Sequence, residues 1–210
     1  MRHAEVAYFE NGRPLRTDDV ALTEAGREQA RAAADAFADV RFDRVVTSGL
    51  PRAVETARIV APGDEPESWP ELRELEGGRL ADIPEDELER TFVGAFADVV
   101  PNDARFLGGE TIGSLFDRVL PAVERLLADP AWDVVLVVAH GGVNRAILSH
   151  ALTGARTFLG NFEQAPGCVN VLDAGDDWVV RAVNVTPYDP LHLRGRHTTM
   201  EELWQQFRST

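Results

Sequence analysis

The spacing of apolar and polar positions changes period several times along this chain. Ala21–Val40, "ALTEAGREQARAAADAFADV", reads as a helix, with Thr23 as its N-cap and Glu24 in the first turn. Its alanine-rich body favours that state. "FDRVVTS" (42–48) is a short β-branched run and predicts a strand. "GLPRAVETARIVA" (49–61) predicts the next helix, with Pro51 in its first turn. "WPELREL" (69–75) reads as extended. From 77 to 110 the pattern breaks into mixed charges, Gly and Pro around one acidic helix, "PEDELERTF". That stretch reads as an excursion from the core.

The strongest amphipathic pattern follows. Ile112, Leu115, Phe116, Val119, Leu120, Val123, Leu126 and Leu127 share one helical face. "WDVVLVVAH" (132–140) is continuously apolar, as a central strand buried on both faces would be. "GGVNRAILSHAL" predicts the helix after it. "CVNVLDA" and "DWVVRAVNV" predict two strands around a "GDD" turn, and "TMEELWQQF" a short terminal helix. Strands alternating with helices imply an α/β fold: a three-layer α/β/α sandwich on a mostly parallel central sheet. We expect a single domain over residues 1–210, with a cap-like insertion at about 77–110.

Composition narrows the function. The chain has 210 residues, 44% hydrophobic and 27% charged, enough for one domain with a substantial core. A net charge of −14 disfavours nucleic acid and anionic membranes as partners. All 21 basic residues are arginine, so an anion site here must use guanidinium forks, backbone N–H groups or histidine. Cys168 is the one cysteine and is expected in the core. With no apolar run of bilayer length and no leader-like start, it points to a reducing cytoplasm. His192 and His197 are irregularly spaced and lack cysteine or carboxylate company, so no metal site is expected.

In open α/β sheets, ligands bind at the carboxyl ends of the strands. Three segments bring polar groups there. One is Arg2-His3, another "TSGLPR" with Arg52 in the first turn of a helix. The third is "VVAHGG", where His140 ends the most apolar strand and Gly141-Gly142 lead into a helix. Helix N-termini favour anions, and arginine forks match phosphate oxygens two at a time. Converging, these groups make a phosphate site containing imidazoles.

The same segments resemble, in order, the motifs of the histidine phosphatase superfamily, which includes the cofactor-dependent phosphoglycerate mutases. They are "RHAE", "ALTEAGREQA", "TSGLPRAVETA", "ELRELEGG", "GGET" and "VVAHGGVNRAIL". The resemblance implies a phosphoglycerate-mutase-like fold and a role for each residue. His3 is the nucleophile that forms a phosphohistidine. Arg2, Arg52 and His140 hold the transferring phosphoryl group. Glu74, with Glu71 and Glu76 as neighbours in the same stretch, is the general acid and base, its pKa raised beside a phosphate dianion. Gly141, Glu110 and Asn11 are expected on the phosphate and substrate side. Where many members carry a substrate-binding Asn shortly after the histidine, this chain has Tyr8 and Phe9, leaving Asn11 as the substitute. Arg13 and Arg16 lie in the same loop.

The implied activity is metal-independent hydrolysis of a small phosphomonoester without a cofactor. A mutase is the alternative, disfavoured by "ELEGG" and the modest insertion. A non-catalytic phosphate-binding module is the third reading. A homodimer is left open. One tension remains at the start of the chain. The family reaches its Arg-His pair along a central strand, and here only Met1 precedes it. Either the start lies upstream or the strand is lost. The expectation is a sheet one strand short at its centre, or a disordered Met1–Ala4, and in both cases less activity than an N-terminally extended form.

Overall fold

A computed structural model describes residues 1–10, 13–15, 18–193 and 197–209. In chain order its strands are β1 (Phe9–Glu10), β2 (Arg13–Pro14), β3 (Arg44–Thr47), β4 (Glu67–Ser68), β5 (Val99–Val100), β6 (Val135–Val138), β7 (Phe158–Leu159), β8 (Val169–Ala174) and β9 (Trp178–Val185). Its α-helices are α1 (Glu24–Ala36), α2 (Pro51–Val60), α3 (Glu85–Val93), α4 (Ile112–Leu127), α5 (Gly141–Thr153) and α6 (Thr199–Arg208).

The central sheet runs β4-β3-β6, all parallel, with Val45 opposite Leu136 and Val46 opposite Val137. Successive residues of β3 and β6 face opposite sides, as strand geometry requires. Val45, Leu136 and Val138 pack with α1 and α2 through Ala30, Ala33, Ala53 and Ala57. Val46 joins Leu115, Phe116 and Val119 of α4 and Val143 of α5 on the other side. These are the two helical layers of the expected sandwich.

The sheet continues past β6. Met1 N donates to Val137 O (2.5 Å), Ala139 N to Met1 O (3.0 Å) and His3 N to Ala139 O (2.9 Å). On the far side Arg2 N donates to Cys168 O and Gly167 N to His3 O, both at 3.0 Å. Met1, Arg2, His3 and Ala4 are all buried. The expected disorder of Met1–Ala4 is therefore corrected. Three residues hold the central position, because the neighbouring backbone supplies partners to all three of their amino groups and to the Met1 and His3 carbonyls.

Helix α1 has Thr23 as its N-cap, accepting from Gly26 N at 2.9 Å. Helix α4 buries the expected face, with Ala122 contributing and Leu127 exposed in the last turn. Strands β8 and β9 form the expected hairpin. The 77–110 stretch carries α3, and β5 ties it to β7 as an antiparallel pair. The extended reading of 69–75 is corrected: Pro70–Leu72 is a 3-10 turn. The backbone after it is held by a side chain instead of a neighbouring strand. Arg118 of α4 donates to the carbonyls of Glu71 (2.7 Å), Arg73 (2.6 Å) and Glu74 (3.3 Å).

Candidate active site

Arg2, His3, Arg52 and His140 are brought together, and each is at least nine-tenths buried. His3 ends the central stub. Its Nδ1 lies 2.8 Å from the Ala4 carbonyl, which can only accept, so Nδ1 carries the proton and Nε2 keeps its lone pair. Arg52, in the first turn of α2, directs Nε to His3 Nε2 at 3.3 Å. His140 occupies the N-cap position of α5 in an extended conformation. Its Nε2 is 2.7 Å from Ser48 Oγ and its Nδ1 3.4 Å from Arg52 Nη2. The two imidazoles meet edge to face, 5.1 Å between centroids.

Burial depresses both imidazole pKa values well below the usual histidine range. The Arg2 and Arg52 charges add to the effect at His3; at His140 it is reinforced by His3, Arg52, Arg2 and Arg118. Both rings are thus neutral near pH 7, the state a nitrogen nucleophile needs.

Arg2 is the unusual member. Its Nη1 donates to the Gln164 carbonyl and to Thr199 Oγ1 (3.0 Å). Its Nε is buried and has no hydrogen-bond partner among the described residues. Nor does any carboxylate of those residues stand within ion-pair distance of it. A buried guanidinium that no carboxylate of the described residues touches directly is costly, and a bound anion would offset that cost.

Glu74 sits across from it. Gly142 N donates to both carboxylate oxygens, at 3.1 and 3.2 Å. A Cβ on Gly141 would lie 3.6 Å from Glu74 Oε2 and 3.8 Å from Arg2 Nε, so this glycine separates the carboxylate from the arginine. Its neighbours are placed elsewhere: Glu76 is exposed, and Glu71 pairs with Arg125 at 3.0 Å. Glu110 is not among the imidazoles' partners. Its oxygens accept from Arg118 Nε (2.8 Å), Arg118 Nη2 (2.9 Å) and Glu76 N (3.2 Å), so it braces the Glu74 segment. Asn11 and Arg16 lie outside the described residues, and of Arg13 only the backbone, in β2, is described. Ser48, Arg118 and Thr199 carried no role in the sequence reading. Ser48 stands in a quoted motif and was findable there. Thr199 lies 197 residues from Arg2, and no local pattern signals that contact.

Comparison with known proteins decides the family. The model of the histidine phosphatase superfamily (branch 1) matches residues 1–186. The chain belongs to this superfamily. A glucosyl-3-phosphoglycerate phosphatase of Mycolicibacterium vanbaalenii is 35% identical over 167 residues, covering 73% of this chain and 72% of that protein. A metal-independent phosphoserine phosphatase of Arabidopsis thaliana is 31% identical over 159 residues, covering 70% and 65%. The crystal structure of the alpha-ribazole phosphatase from Shigella flexneri superposes with a TM-score of 0.71 at 24% identity. It covers 88% of this chain and 94% of that one, a likeness of fold. Among the described residues, no helix of this histidine phosphatase is long and apolar enough to cross a membrane.

Proposed function

We propose that this phosphatase hydrolyses a small phosphorylated metabolite through a phosphohistidine on His3, without a metal ion. The observation that carries the reading is Arg2: a buried cation with an unpartnered Nε, beside a neutral histidine whose Nε2 lone pair faces Arg52 Nε. In the first step His3 Nε2 attacks phosphorus as the P–O bond to the leaving group breaks. The leaving oxygen takes a proton from the Glu74 carboxyl. In the second step the Glu74 carboxylate takes a proton from water as the water oxygen attacks phosphorus and the P–N bond breaks. Phosphate and neutral His3 are regenerated. One difficult displacement becomes two easier ones. Arg2, Arg52 and His140 stabilise charge on the phosphoryl oxygens, and the N-terminal end of α5 adds its dipole.

The insertion supports a small substrate. Phe92 of α3 stacks with Phe207 of α6 (5.4 Å) and packs against Trp204 (5.5 Å), joining the insertion to the C-terminal helix. The single buried cysteine supports a cytoplasmic setting. The test is hydrolysis of p-nitrophenyl phosphate with a chelator present. Wild type is expected to release phosphate, and His3→Ala and His140→Ala to abolish release. Activity surviving His3→Ala would overturn the reading. An isomerised phosphoester with little free phosphate would indicate a mutase.

A further inference from the structure

Helix α6 lies beyond residues 1–186 that the family model matches, yet its first residue reaches the active site. Thr199 Oγ1 donates to Glu163 Oε1 at 2.6 Å and accepts from Arg2 Nη1 at 3.0 Å. A hydroxyl has one proton; with that proton on Glu163, its lone pairs face the guanidinium. Glu163 is itself anchored, with Oε2 3.7 Å from Arg145 Nη2. Arg145 is fixed in turn by the carbonyls of Gly160 (3.1 Å) and Gly141 (3.2 Å). A capping box between Thr198 and Glu201 sets the start of the helix, and Met200 is buried against Phe92 and Leu107. Thr199 is therefore held from both sides, with the Gln164 carbonyl as a further, longer contact of its hydroxyl (3.3 Å), and together with that carbonyl it holds one end of Arg2. The other end, Nε, is left beside Gly141 at the head of α5.

We propose that Thr199 is a positioning residue for the Arg2 guanidinium, orienting it so that Nε meets the phosphoryl group. The inference rests on the reading of Arg2 as a phosphate ligand. Arginine recognition of phosphate is geometric as well as electrostatic, so a guanidinium free to rotate binds less well.

The test is calorimetric binding of inorganic phosphate to the full chain, with folding of each variant checked by circular dichroism. Thr199→Val is expected to weaken binding roughly three- to tenfold, the loss of one charge-assisted hydrogen bond. Thr199→Ser keeps the hydroxyl and is expected to bind as wild type does. Thr199→Ala removes the hydroxyl without added bulk and replaces the valine variant if that folds poorly. In an Arg2→Met background, Thr199→Val is expected to cost nothing further. Wild-type affinity in Thr199→Val, or the same loss in both backgrounds, would overturn the positioning role alone. Wild-type affinity in Arg2→Met would overturn the phosphate role of Arg2, and this inference with it.

Discussion

Glu74 and Gly142 are joined by a single backbone N–H that faces both carboxylate oxygens. The seat depends on the missing side chain. A Cβ at residue 142 would stand 2.6 Å from Glu74 Oε1 and 2.8 Å from Leu75 Cδ1, and Leu75 is buried. Alanine is otherwise a better helix residue than glycine. Gly142→Ala is therefore expected to displace the carboxylate, and kcat to fall about 10- to 100-fold, because small misplacements of a catalytic group are costly. Steady-state kinetics checks this; an unchanged kcat would mean that Glu74 needs no such seat.

In the proposed mechanism, proton donation by Glu74 matters most when the leaving group is a poor one. Glu74→Gln keeps a hydrogen-bond acceptor for Gly142 but cannot give up a proton. The expected loss is about 10²- to 10⁴-fold for an alkyl phosphate. It is smaller for p-nitrophenyl phosphate, whose leaving group departs unprotonated. Equal losses on both substrates in kcat/KM, which covers only the step that expels the leaving group, would assign proton donation to another group.

Stability should carry the signature of two buried neutral imidazoles. His3 and His140 have folded pKa values below their ordinary value of 6.5. Below that pH the unfolded chain binds protons that the folded one refuses. Stability is full above about pH 6.5 and falls as the pH drops. The slope is up to about 1.4 kcal/mol per pH unit for each ring, roughly 2.7 kcal/mol for both. Urea unfolding at about pH 7.5 and 5.5 measures the loss. His3→Asn is expected to lose about one proton's worth of that slope, and an identical slope in the variant would place His3 outside the effect.

Arg118 holds the backbone of the Glu74 segment through three carbonyls and binds Glu110 with two donors. Arg118→Ala is expected to lower stability by about 1–3 kcal/mol, since these acceptors lose a charged partner, and to lower kcat through Glu74. Arg118→Lys should recover little, because an ammonium cannot reproduce the fork. Denaturant titration and kinetics of the two variants check both expectations. Full recovery with lysine would show that charge alone suffices.

The layered fold was legible because its signals are periodic. The α4 face and the apolar run through β6 each state their burial in their own residues. The convergence of Arg2, Arg52 and His140 followed from one rule about strand ends. What escaped was held by contacts far apart in sequence. The 69–75 stretch looks extended, but an arginine more than forty residues away shapes its backbone. Glu110 carries no local mark of its bonds to Arg118, eight residues on; only the fold shows that the pair braces the Glu74 segment. The start of the chain misled for a related reason. Order there comes from Ala139 and Cys168 on either side, not from the length of the segment itself.

The pairing of Arg2 with Ala139 puts His3 level with His140 on adjacent parallel backbones. Parallel neighbours stand about 4.8 Å apart whatever their side chains. The spacing of the two backbones that carry these rings is thus a property of the peptide ladder. Topology alone thus sets the two histidine backbones side by side, and the side chains around them are left to orient the rings.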